Sequence, residues 1–268
     1  MNTHVHRGTA LITGASSGIG AVYADRLARS GFDLILVARR EDRLRALATQ
    51  LTDRTGRSVE ILAADLTDAQ GIARVERVLK TDASITMFVN NAGIAATAPL
   101  LGSDIDQMDR MIALNVNVPT RLAYAVAPAF VARGTGTIVN IASIVALAPE
   151  LLNGVYGGSK AYVLAFSQSL QHELADKGVR VQAVLPGATA TDLWENAGTS
   201  LSTLPQEIVM SADDMVDAAL AGLEQGELVT IPSLPDISDW NAFERARKAL
   251  GPSLSRSVPA LRYAIAQD

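Results

Sequence analysis

Residues 9–20 read Thr-Ala-Leu-Ile-Thr-Gly-Ala-Ser-Ser-Gly-Ile-Gly. The apolar part, residues 9–13, is typical of a short buried strand, and a helical pattern starts at about Gly18. The glycines Gly14, Gly18 and Gly20 allow a tight turn and a close approach of the backbone to a phosphate. The start of the helix also offers free amide groups to an anion. We therefore interpret this segment as a strand, turn and helix that bind a dinucleotide, with an ordinary glycine-rich turn as the alternative.

The alternation of strands and helices continues along the chain. Apolar runs typical of strands occur at 9–13, 33–38, 58–63, 85–89, 137–142, 179–185 and 228–231. Helical patterns occur at 18–30, 41–53, 68–80, 104–133 (with breaks expected at Pro119 and Pro128) and 154–177. Continuous apolar strands separated by helices indicate a parallel sheet covered on both faces.

This pattern predicts an α/β fold, a doubly wound (Rossmann) parallel sheet of about seven strands with helices on both faces. The even spacing of the strands predicts a single domain over residues 1–268. Within it we expect a variable substrate loop near 192–210 and a helical C-terminal segment at 234–268.

The composition narrows the classes of function. Of the 268 residues 49% are hydrophobic and 19% are charged, as in well-ordered globular proteins. The net charge of −5 argues against nucleic-acid binding, which usually requires a basic face. The chain has no cysteine, which excludes disulfides and cysteine metal sites. His4, His6 and His172 lack metal-ligand spacing, so we expect no metal.

Nothing in the sequence predicts a membrane span. The longest apolar stretch, around residues 122–132, contains Pro128 and is too short to cross a bilayer. Residues 1–7 are polar, and the apolar run that follows is too brief for a signal peptide. We therefore expect a cytoplasmic protein with no membrane or nucleic-acid partner.

Tyr156 and Lys160 are four residues apart in a predicted helix, with Ser143 upstream. Positions i and i+4 share a helix face, and an ammonium beside a phenol favours the phenolate and lowers the tyrosine pKa. A tyrosine perturbed in this way is a candidate general acid or base, and Ser143 could hold a carbonyl oxygen. The alternative is a half-buried packing tyrosine beside a solvated lysine. That alternative leaves Gly157 and Gly158 unexplained, since each costs about 1 kcal/mol in a helix relative to alanine.

Several motifs in order give the chain a clear family resemblance. They are the 13–20 turn with spacing Gly-x-x-x-Gly-x-Gly, Asn90-Asn91-Ala92-Gly93, Asn115, Ser143, Tyr156 with Lys160, and Pro186-Gly187 followed by Thr191. Over about residues 9–193 the chain resembles a short-chain dehydrogenase/reductase. The resemblance implies that Tyr156 is the general acid or base, that Ser143 holds the substrate oxygen, that Lys160 binds the nicotinamide ribose and lowers the Tyr156 pKa, and that Asn115 anchors a water that relays protons.

The resemblance also implies a dinucleotide site. Beside Tyr156 and Lys160, the expected cofactor-binding residues are Gly14, Ser16, Ser17, Gly18, Ile19, Gly20, Asp65, Leu66, Asn91, Ala92, Gly93, Pro186, Gly187, Thr189 and Thr191. Arg39 and Arg40 end the second strand, where an acidic residue would bind a ribose 2′-hydroxyl and arginine accommodates a 2′-phosphate. We therefore expect NADP(H) as the cofactor. In the alternative, the two arginines begin a solvated helix and pair with Glu41 and Asp42.

The substrate is expected to be a mainly apolar ketone, aldehyde or secondary alcohol. The loops that form the substrate pocket in the family contribute Val145, Leu147, Leu152 and Trp194 here, together with Leu151, Leu201 and Leu204, and no cationic group. The leading interpretation is thus an NADP(H)-dependent carbonyl reductase or alcohol dehydrogenase. The alternative is a non-catalytic dinucleotide-sensing protein on the same fold. From the resemblance alone we expect a homodimer or homotetramer.

Overall fold

The computed structural model describes residues 6–263 of the chain. His4 and the last five residues of the predicted C-terminal segment lie outside this range. The chain divides into two compact units, Met1–Ser233 and Leu234–Asp268. The prediction of one domain over 1–268 stays a prediction.

Within the described residues, seven parallel strands form one sheet in the order β3-β2-β1-β4-β5-β6-β7. The strands are β1 Thr9–Thr13, β2 Asp33–Ala38, β3 Val59–Ala63, β4 Ile85–Asn90, β5 Gly136–Ile141, β6 Val179–Val184 and β7 Val229–Thr230. The strand order reverses between β1 and β4, the place at which doubly wound sheets open a ligand crevice. The predicted fold is confirmed, and the strand ends differ from the predicted ones by at most a residue.

Helices cover both faces of the sheet. They are α1 Gly18–Arg29, α2 Glu41–Thr55, α3 Ala69–Thr81, α4 Ile105–Ile112, α5 Val118–Arg133, α6 Gly154–Leu174, α7 Leu193–Asn196 and α8 Ala212–Glu224. Successive strand residues point to opposite faces, so β1 sends Ala10 and Ile12 into one core and Leu11 into the other. The first core packs against α1, α2 and α8, and the second against α3, α5 and α6.

The predicted helix at 104–133 is divided by a π-helical turn, Ala113–Asn117, between α4 and α5. Pro119 follows this turn and has no backbone N–H to donate to Asn115, four residues earlier. The π turn accommodates that missing bond, and such turns often occur at functional sites. Pro128, in contrast, lies inside α5 and does not end it.

The second unit contains α9, Ile237–Ala249, and two short 3₁₀ turns, Gly251–Ser253 and Leu261–Tyr263. Asp236 caps α9 by accepting a hydrogen bond from the Ser238 amide at 2.8 Å. Between residues 6 and 263, no helix combines the length and the apolar character that a bilayer span requires.

Candidate active site

The glycine turn after β1 is packed too tightly for side chains. Gly14 and Gly18 have φ of 68° and 54°, in the left-handed region that favours glycine. A Cβ on Gly20 would lie 2.4 Å from the carbonyl oxygen of Gly14. Ser17 occupies the N-cap of α1 but makes no side-chain cap hydrogen bond, so the first amides of the helix are not satisfied by a cap. The turn therefore has the form of an anion site.

Thr13, which the sequence analysis did not single out as a site residue, holds the next loop against this turn. Its hydroxyl accepts hydrogen bonds from the amides of Asn91 and Ala92, both at 3.0 Å. Asn91 in turn donates from Nδ2 to the carbonyl oxygen of Thr13 at 2.9 Å. These bonds join the carboxyl ends of the adjacent strands β1 and β4, and so place the predicted residues Asn91, Ala92 and Gly93 beside the glycine turn.

Ser143 and Tyr156 meet at the carboxyl end of β5. Both side chains are buried. Burial raises the pKa of Tyr156 to about 12, although the neighbouring hydroxyl of Ser143 acts in the opposite direction. The hydroxyl of Ser143 also lies 3.4 Å from the carbonyl oxygen of Pro186, after β6. Tyr156 is therefore a protonated phenol at neutral pH in the protein alone.

Lys160 is buried one helical turn beyond Tyr156, and its Nζ donates to the carbonyl oxygen of Ile141 at 2.9 Å. Nζ lies 5.9 Å from the centroid of the Tyr156 ring. Burial lowers the pKa of Lys160 to about 8. The net shift of the Tyr156 pKa is upward in this structure, because removal of the phenol from water dominates it. That Lys160 lowers the Tyr156 pKa stays a prediction.

Asn115 lies in the π turn and is buried, whereas Asn117 is exposed. The Oδ1 of Asn115 accepts from the Ile94 amide at 3.0 Å. Its Nδ2 donates to the Ile94 carbonyl at 2.8 Å and to Ser159 Oγ at 3.2 Å. A Cβ on Gly93 would lie 3.0 Å from Asn115 Oδ1 and 3.7 Å from Lys160 Nζ. Asn115 and Lys160 thus flank Gly93, on the side of the site where the resemblance places a proton-relay water.

The loop after β6 brings Pro186, Gly187, Thr189 and Thr191 to the same edge of the sheet. Thr189 is buried and donates from Oγ1 to the Gly187 carbonyl oxygen at 3.1 Å. A Cβ on Gly18 would lie 3.1 Å from Cγ2 of Thr191, so this loop reaches the glycine turn.

Arg39 and Arg40 follow β2, and Asp65 and Leu66 follow β3. Both arginines are exposed, and within residues 6–263 neither forms a salt bridge to a carboxylate. Glu41 pairs with Arg45 instead. Partial burial acts to raise the pKa of Asp65, but hydrogen bonds from Thr67 and the charge of Arg39 hold that pKa below its ordinary value. Within residues 6–263, neither Arg39 nor Arg40 forms the salt bridge to Glu41 or Asp42 that the alternative interpretation of the sequence required.

An apolar cluster surrounds the phenol of Tyr156. Its buried members are Met108, Met111 and Val145, and partly buried side chains pack against it: Ile94, Ala95, Ala96, Leu152 and Val155. Two predicted substrate residues, Val145 and Leu152, belong to this cluster. Leu147 is exposed, and Trp194 is partly buried with its Nε1 donating to the Thr189 carbonyl oxygen at 3.0 Å.

The site residues gather at the carboxyl ends of β1, β4, β5 and β6, where the hydroxyls of Ser143 and Tyr156 and the amine of Lys160 lie beside apolar side chains. A sequence model of the family described as short chain dehydrogenase matches residues 8–201. The chain therefore belongs to the short-chain dehydrogenase/reductase family of oxidoreductases.

Individual relatives agree with this assignment. A short-chain dehydrogenase from Sphingobium yanoikuyae, solved in complex with NADPH, is 50% identical, with a TM-score of 0.92 over 96% of this chain and 100% of that chain. The bulky-bulky ketone specific alcohol dehydrogenase from Comamonas testosteroni is 44% identical, with a TM-score of 0.89 over 97% of this chain and 99% of that chain. An uncharacterized oxidoreductase of Staphylococcus epidermidis is 32% identical over 223 residues, 83% of this chain and 93% of the relative.

Proposed function

We propose that the protein is an NADP(H)-dependent carbonyl reductase or alcohol dehydrogenase that acts on mainly apolar ketones, aldehydes or secondary alcohols. The observation that carries the proposal is the pair of buried, neighbouring hydroxyls of Ser143 and Tyr156, with Tyr156 packed against Met108, Met111 and Val145. Two hydroxyls beside apolar side chains can bind the oxygen of a carbonyl group that carries apolar substituents.

The residues present fit a dinucleotide. The positive φ of Gly14 and Gly18, the close approach of Gly20 to Gly14, and the uncapped start of α1 together form a cradle for a diphosphate. Asn91, Ala92 and Gly93 would line its adenosine side, and Pro186, Gly187, Thr189 and Thr191 its nicotinamide side. When bound, the nicotinamide supplies the hydride, and the protein supplies orientation and the proton.

Residues of the protein itself can supply the proton that reduction of a carbonyl requires. Tyr156 is protonated at neutral pH, which suits a general acid that donates to the carbonyl oxygen during reduction. Ser143 holds the same oxygen through its hydroxyl. The buried amine of Lys160 and the side chain of Asn115 both lie close to Gly93. A water anchored by Asn115 would pass a proton from solvent to Lys160, and Lys160 would return one to Tyr156.

Arg39 and Arg40 support a preference for NADP(H) over NAD(H). Both guanidinium groups are exposed at the end of β2 and, within the described part of the chain, are not neutralised by a salt bridge. Guanidinium groups bind phosphate through paired hydrogen bonds. The Sphingobium yanoikuyae relative contains NADPH, which agrees with this preference.

The substrate preference rests on the cluster and on the Comamonas testosteroni relative, which is described as specific for bulky ketones. Val145, Leu147, Leu152 and Trp194 are apolar or aromatic and would favour uncharged substituents on the carbonyl.

A panel of ketones and aldehydes of graded size and charge, assayed with NADPH and with NADH, tests the proposal. We expect consumption of NADPH with apolar ketones and little with carboxylate-bearing ones. A clear preference for NADH or for small charged acids would contradict it. Tight dinucleotide binding without turnover of any carbonyl would instead support the alternative of a dinucleotide-sensing protein.

The association into a homodimer or homotetramer stays a prediction from the family resemblance. The exposed ring of Tyr124 on α5 stacks on Phe166 of α6, with centroids 6.5 Å apart. Sedimentation of the wild-type protein measures the oligomeric state directly.

A further inference from the structure

Asn153 uses every hydrogen-bonding group of its side chain. It is the N-cap of α6, three residues before Tyr156, and is 3% exposed. Its Oδ1 accepts from the amides of Val155 at 2.9 Å and Tyr156 at 3.3 Å. Its Nδ2 donates to the Ala98 carbonyl oxygen at 2.7 Å and to Ser103 Oγ at 2.9 Å. One side chain therefore caps the catalytic helix and holds a segment 50 or more residues away in sequence.

The segment that Asn153 holds, residues 97–103, is called the bridging segment here. At its first residue, next to Ala98, Thr97 Oγ1 donates to the Ala197 carbonyl oxygen at 3.0 Å and accepts from Thr199 Oγ1 at 2.7 Å. Ala197 and Thr199 belong to the substrate loop, residues 192–210. Hydrogen bonds thus join the substrate loop to Thr97, and others join the adjacent Ala98 through Asn153 to the backbone amide of Tyr156.

The bridging segment has little packing of its own. Leu100 and Leu101 are 81% and 97% exposed, so neither contributes a buried apolar contact. Its conformation rests on hydrogen bonds, both within the segment, from Ser103 Oγ to the carbonyl oxygens of Ala98 and Pro99, and to residues outside it. Its position in the fold therefore depends on Asn153, which holds Ala98 and Ser103, and on Thr97, which holds the substrate loop.

We propose that Asn153 is a positioning residue that couples the substrate loop to the orientation of Tyr156. When the substrate loop moves away, Thr97 loses its two partners and the bridging segment is released. Asn153 then loses the acceptors that fix its amide, and the start of α6 is held less firmly. The substrate loop and Tyr156 are in this way ordered together. The effect on catalysis rests on the function proposed above, whereas the coupling itself does not.

The other interpretation is that Asn153 is a helix cap and nothing more. Asn153→Asp separates the two roles, because aspartate is an equally good N-cap but has no N–H to donate. Thr97→Val removes the hydroxyl at nearly constant volume, and Thr97→Ser keeps it. Thr81→Val is the matched control, since the Thr81 hydroxyl bonds only to the Arg77 carbonyl within its own helix.

Hydrogen–deuterium exchange of the full chain without ligands provides a test that needs no reaction. For Asn153→Asp we expect faster exchange in residues 97–103 and also in the substrate loop, by roughly 2- to 10-fold, the effect of one or two lost hydrogen bonds. Thr97→Val is expected to do the same and to speed exchange at residues 154–157, while Thr97→Ser and Thr81→Val resemble the wild type. Unchanged exchange in the substrate loop for Asn153→Asp, or at residues 154–157 for Thr97→Val, would overturn the coupling.

Kinetics then distinguish coupling from simple loss of stability. In the double variant Asn153→Asp/Thr97→Val, the loss in kcat/KM is expected to be smaller than the product of the single losses, because both changes break one series of contacts. A multiplicative loss would contradict the proposal. If Asn153→Asp does not fold, Ser103→Ala removes one of its acceptors and takes its place in both experiments. If hydrogen–deuterium exchange shows the expected coupling but the wild-type protein turns over no ketone, the proposed reaction is refuted and this inference still holds.

Discussion

Nζ of Lys160 lies 2.9 Å from the carbonyl oxygen of Ile141, the last residue of β5. This hydrogen bond joins α6 to the strand that leads into Ser143, and so fixes the distance between the two elements that carry the hydroxyl pair. In the protein alone, the amine stabilises this junction, and its Nζ lies 5.9 Å from the centroid of the Tyr156 ring.

The buried amine predicts a pH dependence of stability. The pKa of Lys160 is lowered to about 8, whereas an unfolded lysine keeps its proton to a higher pH. Between these values the unfolded chain binds more protons, so the free energy of unfolding rises with pH. Below about pH 8 the folded protein carries a buried positive charge and bears its full free-energy cost. Above about pH 8 Lys160 is neutral in the folded protein, and this cost is removed. The wild-type protein should therefore gain stability from pH 8 to 10 relative to Lys160→Met, as measured by urea unfolding. The same change in free energy of unfolding with pH for the two proteins would refute this.

Tyr156→Phe should lower kcat for ketone reduction by about 10²- to 10⁴-fold, the usual contribution of a general acid. Dinucleotide binding, measured by fluorescence titration, should change little, because the glycine turn is untouched. Tyr162→Phe is the matched control, since it removes a phenol that bonds to Thr120 Oγ1 at 2.7 Å outside the site. Retained turnover in Tyr156→Phe would remove Tyr156 from the mechanism.

Replacing Arg39 and Arg40 by serine should raise KM for NADPH by roughly 10-fold or more and change KM for NADH little, since charged hydrogen bonds to the 2′-phosphate are lost. Arg45→Ser serves as the control, since Arg45 lies in the helix that follows and is paired with Glu41. Equal effects on the two cofactors would show that these arginines do not read the phosphate.

Gly157 and Gly158 are expected to respond differently to alanine. A Cβ on Gly157 would lie 3.2 Å from Cα and Cβ of Pro149, whereas a Cβ on Gly158 would meet nothing within 4 Å. Gly158→Ala should therefore stabilise the protein by about 0.5–1 kcal/mol through helix propensity. Gly157→Ala should be less stable than Gly158→Ala, as measured by thermal or urea unfolding. A destabilised Gly158→Ala would indicate that another surface covers this position.

The sequence by itself did not distinguish Gly157 from Gly158. Both are glycines in a helix, and only the position of Pro149 distinguishes them. The same limit applies to the 104–133 helix: Pro119 suggested a break, but a π turn that aims Asn115 at Ile94 and Ser159 depends on contacts that the local pattern does not contain.

Local patterns were sufficient for the order of strands and helices, the doubly wound sheet, the glycine turn and the membership of the family. Each depends on hydrophobic periodicity, on backbone freedom at a few glycines, or on side-chain types at short spacings, all of which can be read along the chain. The tertiary structure alone decided which groups meet: Lys160 with Ile141, Thr13 with Asn91, Asn153 with Ala98, and Met108 with Tyr156. These contacts join residues that are distant in sequence, and their energies depend on burial and geometry that arise only when the sheet and its helices pack.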